Sequence, residues 1–305
     1  MSTNAGVLLL QPVNPAKCCY IMQKIKFTFK FLPVVTGLIF LCVCSNLTVR
    51  AQGDLMVFPK RIVFEGTVKT NELNLANIGK DTARYNISFV QYRMNENGSF
   101  TEITTPDEGQ NFADKFLRYY PRSITLAPKE SQVVKIQLTK TDQMTPGEYR
   151  SHIYFRAIPN ARPLGEEDQK KDTTTVSIRL VPIFGVTIPA IIRVGASTTQ
   201  VTMSDLQFTN QNDTVPLLNL KFNRTGNMSI YGDLSVVLQA ANGKSTEVGR
   251  ASGIAVYTPN PARRFQVPLM KKGNINYHSG TLHVEYTSPT DVKPIKFAEA
   301  DLRLN

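Results

Sequence analysis

From residue 55 onward the chain is written in short runs of alternating apolar and polar residues, rich in Val, Ile, Thr, Phe and Tyr and broken by Gly, Pro, Asn and Asp. A period of two puts every second side chain on one face, which is the pattern of a half-buried strand; no convincing helical period competes with it. Strands are expected over 56–64, 72–77, 83–92, 123–127, 132–139, 147–157 and 174–189, and then over 199–209, 217–222, 234–240, 246–257, 262–268, 280–286 and 293–304. Turn chemistry separates them, as at Asn95-Glu-Asn-Gly98, Thr145-Pro-Gly147 and Ala241-Asn-Gly-Lys244. Short strands at this spacing predict an all-β protein of two immunoglobulin-like β-sandwich domains, over 52–190 and 191–305. The boundary at 189–194 is short and apolar, so the two are expected to meet at a fixed angle.

The first 51 residues have a different composition. They carry Lys17, Lys24, Lys26, Lys30 and Arg50 with no acid, and all four cysteines, Cys18, Cys19, Cys42 and Cys44. Lys24, Lys26 and Lys30 precede an apolar run from Phe31 to Cys44, and Val49-Arg50-Ala51 offers a small-residue cleavage site, so residues 1–51 read as a signal peptide. The stretch before Met22 reads as an upstream start artefact or an extended charged region. An apolar run of that length falls short of the roughly 20 residues that span a bilayer, which favours export over anchoring, with an uncleaved anchor as the other reading. The formal charge of +11 falls to +6 beyond the leader, with 30 basic against 24 acidic residues, and no nucleic-acid partner is expected. The exported part has no cysteine, hence no disulfide framework or thiolate metal site.

Little in the chain points to catalysis. Of the histidines, His152 and His283 fall within expected strands, where a structural or surface role is the ordinary one, and His278 is the third. There is no nucleophile motif, metal-binding helix motif or Gly-rich phosphate loop, so neither an enzyme nor a cofactor is expected. Two segments carry more information. In Phe58-Pro-Lys-Arg-Ile-Val-Phe-Glu-Gly66 the alternation places Phe58, Ile62 and Phe64 on one face and Arg61 with Val63 on the other. Arg61 reads either as a surface arginine lying along its own stem or as a clamp for a carboxylate, whose two oxygens match the guanidinium fork. The charged, proline-containing stretch 159–171 reads as a long hairpin loop. It leads into a strand with Val176, Ile178 and Leu180 on one face, which either packs into the protein's own core or lies at a sheet edge as a template for another chain.

Four segments in order resemble the PapD-like periplasmic pilus chaperones: Arg61-Ile-Val-Phe-Glu-Gly66, Glu72-Leu-Asn-Leu-Ala-Asn-Ile-Gly79, the stretch 121–136 and the stretch 147–159 with its Glu148 and Arg156-Ala-Ile-Pro159 end. The resemblance covers about 54–190. It implies two immunoglobulin-like domains around a cleft, and a chaperone that holds exported pilus or fimbrial subunits in the periplasm by lending them a strand, without ATP. The implied partners are those subunits, with an outer-membrane usher as a further one; no small-molecule substrate is implied. The implied subunit-binding residues are Arg61, as the first-strand anchor for the subunit's terminal carboxylate, and Val176, Ile178 and Leu180 as the donated row. The chain departs from the pattern at the second anchor, a Lys in the family: counting back from Pro189 finds Phe184, with Arg179 or Arg193 as substitutes only in another register. The residues also leave open a non-catalytic structural or adhesive cell-envelope protein built from the same modules.

Overall fold

The computed structural model describes residues 55–159, 183–211, 215–271, 275–289 and 293–304. In chain order its strands are β1 (Leu55–Phe58), β2 (Ile62–Phe64), β3 (Thr70–Asn77), β4 (Ala83–Val90), β5 (Tyr92–Met94), β6 (Phe100–Glu102), β7 (Leu117–Tyr120), β8 (Ser123–Leu126), β9 (Ser131–Leu138), β10 (Gly147–Ile158) and β11 (Gly185–Val194). They continue with β12 (Gln200–Gln211), β13 (Val215–Thr225), β14 (Ile230–Gln239), β15 (Ser245–Val256), β16 (Ala262–Pro268), β17 (Gly280–Thr287) and β18 (Lys296–Leu304). Among the described residues the only helical pieces are single 3₁₀ turns, so the all-β expectation is met by two immunoglobulin-like sandwiches.

The first sandwich faces a sheet of order β1-β3-β9-β7 against one of order β2-β11-β10-β4-β8. Leu73, Leu75, Val134 and Ile136 of the first sheet meet Phe64, Ile153, Phe155 and Ile188 of the second in a dry core. The second sandwich sets β12-β13-β16 against β15-β14-β17-β18. Its central strands β13 and β14 alternate buried and half-buried residues along almost their whole length, as a period-two sequence dictates. Leu218, Leu220 and Phe222 interdigitate there with Leu234, Val236, Val284 and Tyr286.

Two expectations fail near the N-terminal end. The strand expected over 56–64 is two strands in different sheets: β1 pairs with β3, whereas β2 runs parallel to β11. Pro59 has no N–H to continue a ladder, and the chain crosses from one sheet to the other over residues 59–61. The crossing resets the alternation, so Ile62 and Phe64 are buried but Phe58 is 65% exposed rather than sharing their face. The stretch expected as a strand over 174–189 is described only from Ile183. Its regular part begins at Gly185, passes through Pro189 and ends at Val194. Most of the expected hairpin loop, from residue 160, lies outside the described residues, as do Val176, Arg179, Ile178 and Leu180.

Candidate functional site

β10 is the strand that organises the site. Its inward residues Tyr149, Ile153 and Phe155 belong to the first core, but its polar face is buried as well: Glu148, Arg150 and His152 are 2%, 7% and 5% exposed. The second sandwich and the β5–β6 hairpin cover that face. Glu148 accepts hydrogen bonds from the Ser229 amide at 3.0 Å and the Ser229 hydroxyl at 2.6 Å. Arg150 donates to Glu148 Oε1 at 2.6 Å and to Ser229 Oγ at 2.6 Å, and its guanidinium lies 3.6 Å from the centre of the Tyr257 ring. Arg193, opposite Glu148 in the β10–β11 register, brings Nε to 3.4 Å from Glu148 Oε2 and donates Nη2 to the Ser229 carbonyl at 3.0 Å. Burial pushes the Glu148 carboxyl up, but Arg150, the Ser229 hydroxyl and Arg193 outweigh it and hold the group below its ordinary value. Burial also opposes the Arg150 charge, and Glu148 with Tyr257 more than restores it.

A cross-domain hairpin completes the joint. β5 and β6 pair with each other, and Met94 joins Ala255 and Tyr257 of the second sandwich in a small apolar cluster. Asn260 Nδ2 donates to the Met94 carbonyl at 2.5 Å, and Arg264 Nε to Glu96 Oε1 at 3.0 Å. His152 is enclosed by the rings of Tyr92, Phe100 and Tyr257. Burial, aided by the charge of Arg150, lowers its pKa to about 3, so the imidazole is neutral and structural.

Beside this joint, between the two sandwiches, lies a cleft of about 300 Å³. Lys60, Arg61, Arg150 and Arg263 line it together with Phe100, Tyr231 and Tyr257, and among the described residues no acidic one lines it. Arg61, in the crossing just before β2, rests its guanidinium 4.0 Å from the centre of the Tyr231 ring. Among the described residues it makes no hydrogen bond or ion pair. Burial lowers its pKa, and repulsion from Arg150 and Arg193 adds to this. A positively charged cleft walled by aromatic rings, with a guanidinium fork that has no acceptor, is suited to a carboxylate.

The neighbouring strand supplies a second feature. β2 covers β11 only at Ala190–Ile192, and no described strand pairs with Gly185–Pro189 on the side away from β10. That half of β11 is an open edge, and it runs into the cleft at Pro189, the residue next to Arg61 when the β2–β11 register is continued by one. Phe184, where counting in the sequence placed the second anchor, is 46% exposed and does not line the cleft. Arg193 is committed to Glu148 and Ser229. Arg263 was not singled out in the sequence: it lies amid a strand of the second domain, where nothing in the local pattern distinguishes it from a surface cation.

No protein-family model matches the chain, and no curated protein matches it. Its structure is similar to those of PapD-like pilus chaperones. The YadV chaperone aligns with a TM-score of 0.42 at 12% identity, covering 83% of this chain and 100% of that one. The Escherichia coli chaperone DraB aligns at 0.40 and 15%, covering 82% and 96%. The SafB chaperone, in complex with the SafA pilin of Salmonella enterica, aligns at 0.38 and 16%, covering 84% and 98%.

Proposed function

We infer that the protein is a periplasmic chaperone that holds exported pilus or fimbrial subunits by donating a strand to them, without ATP, cofactor or chemistry. The observation that carries this reading is the juxtaposition of an open β11 edge with the acid-free cleft at its end. An incoming strand that pairs along Gly185–Pro189 would bring its own terminus to Arg61, where a carboxylate finds the acceptor-less guanidinium. Val176, Ile178 and Leu180 stand at even spacing from Phe184 and Val186 in the sequence. We assign them as the row that fills the subunit's groove, upstream of the described edge. Residues 1–51 serve in this reading as the export leader, and an outer-membrane usher is a further partner.

The reading is tested by coexpressing the chain with candidate subunits encoded beside it and measuring how much subunit is recovered in complex from the periplasm. Arg61→Ala removes the carboxylate contact, and Ile178→Glu places an ion in a dry groove, at a cost of several kcal/mol. Each should lower recovery at least tenfold while the chaperone itself remains soluble. Unchanged recovery with both variants would contradict strand donation with a carboxylate anchor and leave the passive envelope module.

A further inference from the structure

A carboxylate has two oxygens, and one guanidinium seldom satisfies a buried anion alone. The strand position beside Arg61 is Pro189, which carries no charge and no N–H. Of the other cations on the cleft wall, Arg150 already has its charge paired by Glu148 and donates to Ser229, and Lys60 is exposed.

Arg263 differs from these. It projects from β16 of the second sandwich and lines the same cleft as Arg61. Its Nη1 donates to the Ala255 carbonyl, while its buried Nε has no hydrogen-bond partner, and no acid forms an ion pair with it among the described residues. Ala255 is the cross-strand partner of Tyr231, the ring on which Arg61 rests, so the two guanidiniums flank one residue pair of β14 and β15. Burial lowers the pKa of Arg263 as it does that of Arg61, which marks both as cations short of an anion. Gly98, at the tip of the β5–β6 hairpin with φ +83°, packs so closely on the Arg263 guanidinium that a Cβ there would meet Nη2 at 2.6 Å and Nε at 2.7 Å, so the hairpin tip restrains the side chain where it lines the cleft.

We propose that Arg263 is the second cation of the cleft, so that a bound carboxylate is held across the two sandwiches, by Arg61 from the first and Arg263 from the second. This rests on the reading of the cleft as a carboxylate site. It also assigns the second sandwich a direct part in binding: the anion ties the two sandwiches together.

The test uses the processed protein recovered from the periplasm and a synthetic N-acetylated Val-Thr-Val-Thr-Phe peptide, as the free acid and as its C-terminal amide, titrated by NMR. The wild-type protein should prefer the acid, and Arg263→Gln should weaken binding of the acid about tenfold, the worth of one charge-assisted hydrogen bond, with the amide unaffected. Arg263→Lys should recover part of the loss. If the wild type prefers the acid and Arg61→Ala abolishes the preference while Arg263→Gln leaves it intact, the assignment of Arg263 is overturned and the cleft reading stands. Equal binding of acid and amide by the wild type would overturn both. Should Arg263→Gln fail to fold, the Nε–Hε resonance of Arg263 in the wild type decides: it should shift with the acid and not with the amide, and a resonance indifferent to both would refute the proposal.

Discussion

Glu148 is a charge almost entirely removed from water, and it persists there because Arg150 and Ser229 donate hydrogen bonds to both its oxygens and the Arg193 guanidinium lies beside it. Removing the carboxylate leaves Arg150 buried and uncompensated, so Glu148→Ala should cost about 3–5 kcal/mol in denaturant unfolding. A loss under 1 kcal/mol would contradict the joint described above. Because the carboxyl is held below its ordinary value of 4.5, the unfolded chain takes up that proton first, so its contribution is present above pH 4.5 and is lost as the pH falls further. His152 acts in a higher window. Its folded pKa of about 3 lies below the unfolded 6.5, so stability fully present above 6.5 declines as the unfolded state gains the proton on the way down. Between pH 6.5 and 4.5 this amounts to about 1.4 kcal/mol per pH unit at most. The variant His152→Leu should flatten the dependence in that window, which unfolding curves at pH 7 and pH 5 would reveal; an unchanged slope would refute the neutral, caged imidazole.

At the level of elements, strand existence was legible because a period of two needs no tertiary information: β13, β14, β16 and β17 fall within or across their expected spans. What escaped depends on contacts between elements. Phe58 lost its face because Pro59 interrupts the ladder and the chain changes sheets, an event that alternation alone does not encode. The hairpin β5–β6 is three residues a side, too short to show a period, and its role comes from packing on Tyr257. The polar face of β10 reads in sequence as a solvated surface, whereas the second sandwich and the β5–β6 hairpin cover it. Arg61 stood out by its apolar neighbours; Arg263 has no such setting and is placed only by the fold. Turns are a further element-scale requirement. Gly226 has φ +87°, and a Cβ there would lie 2.5 Å from the Thr198 carbonyl oxygen, which is backbone and cannot swing away. Gly226→Ala should therefore cost about 2 kcal/mol, read as a lowered unfolding midpoint with an unchanged denaturant slope. Wild-type stability in this variant would contradict the strained turn that presents Ser229.

For the whole molecule, the central claim is that an open edge of one sandwich and a cleft shared by both form a single binding surface for another chain's last strand. The four segments that resemble the chaperone family all lie in the first sandwich, and the second contributes through Ser229, Tyr231 and Arg263, residues with no sequence signature of their own. Amide exchange tests the claim most directly. In a complex purified with its subunit, alternate backbone amides from residue 176 through Ile188, those facing away from β10, should become protected by at least a hundredfold relative to the free protein, because strand pairing closes the open side of β11. Loss of that protection in Ile178→Glu would place the donated row where it is assigned. A complex that forms with no change in exchange along this stretch would contradict strand donation.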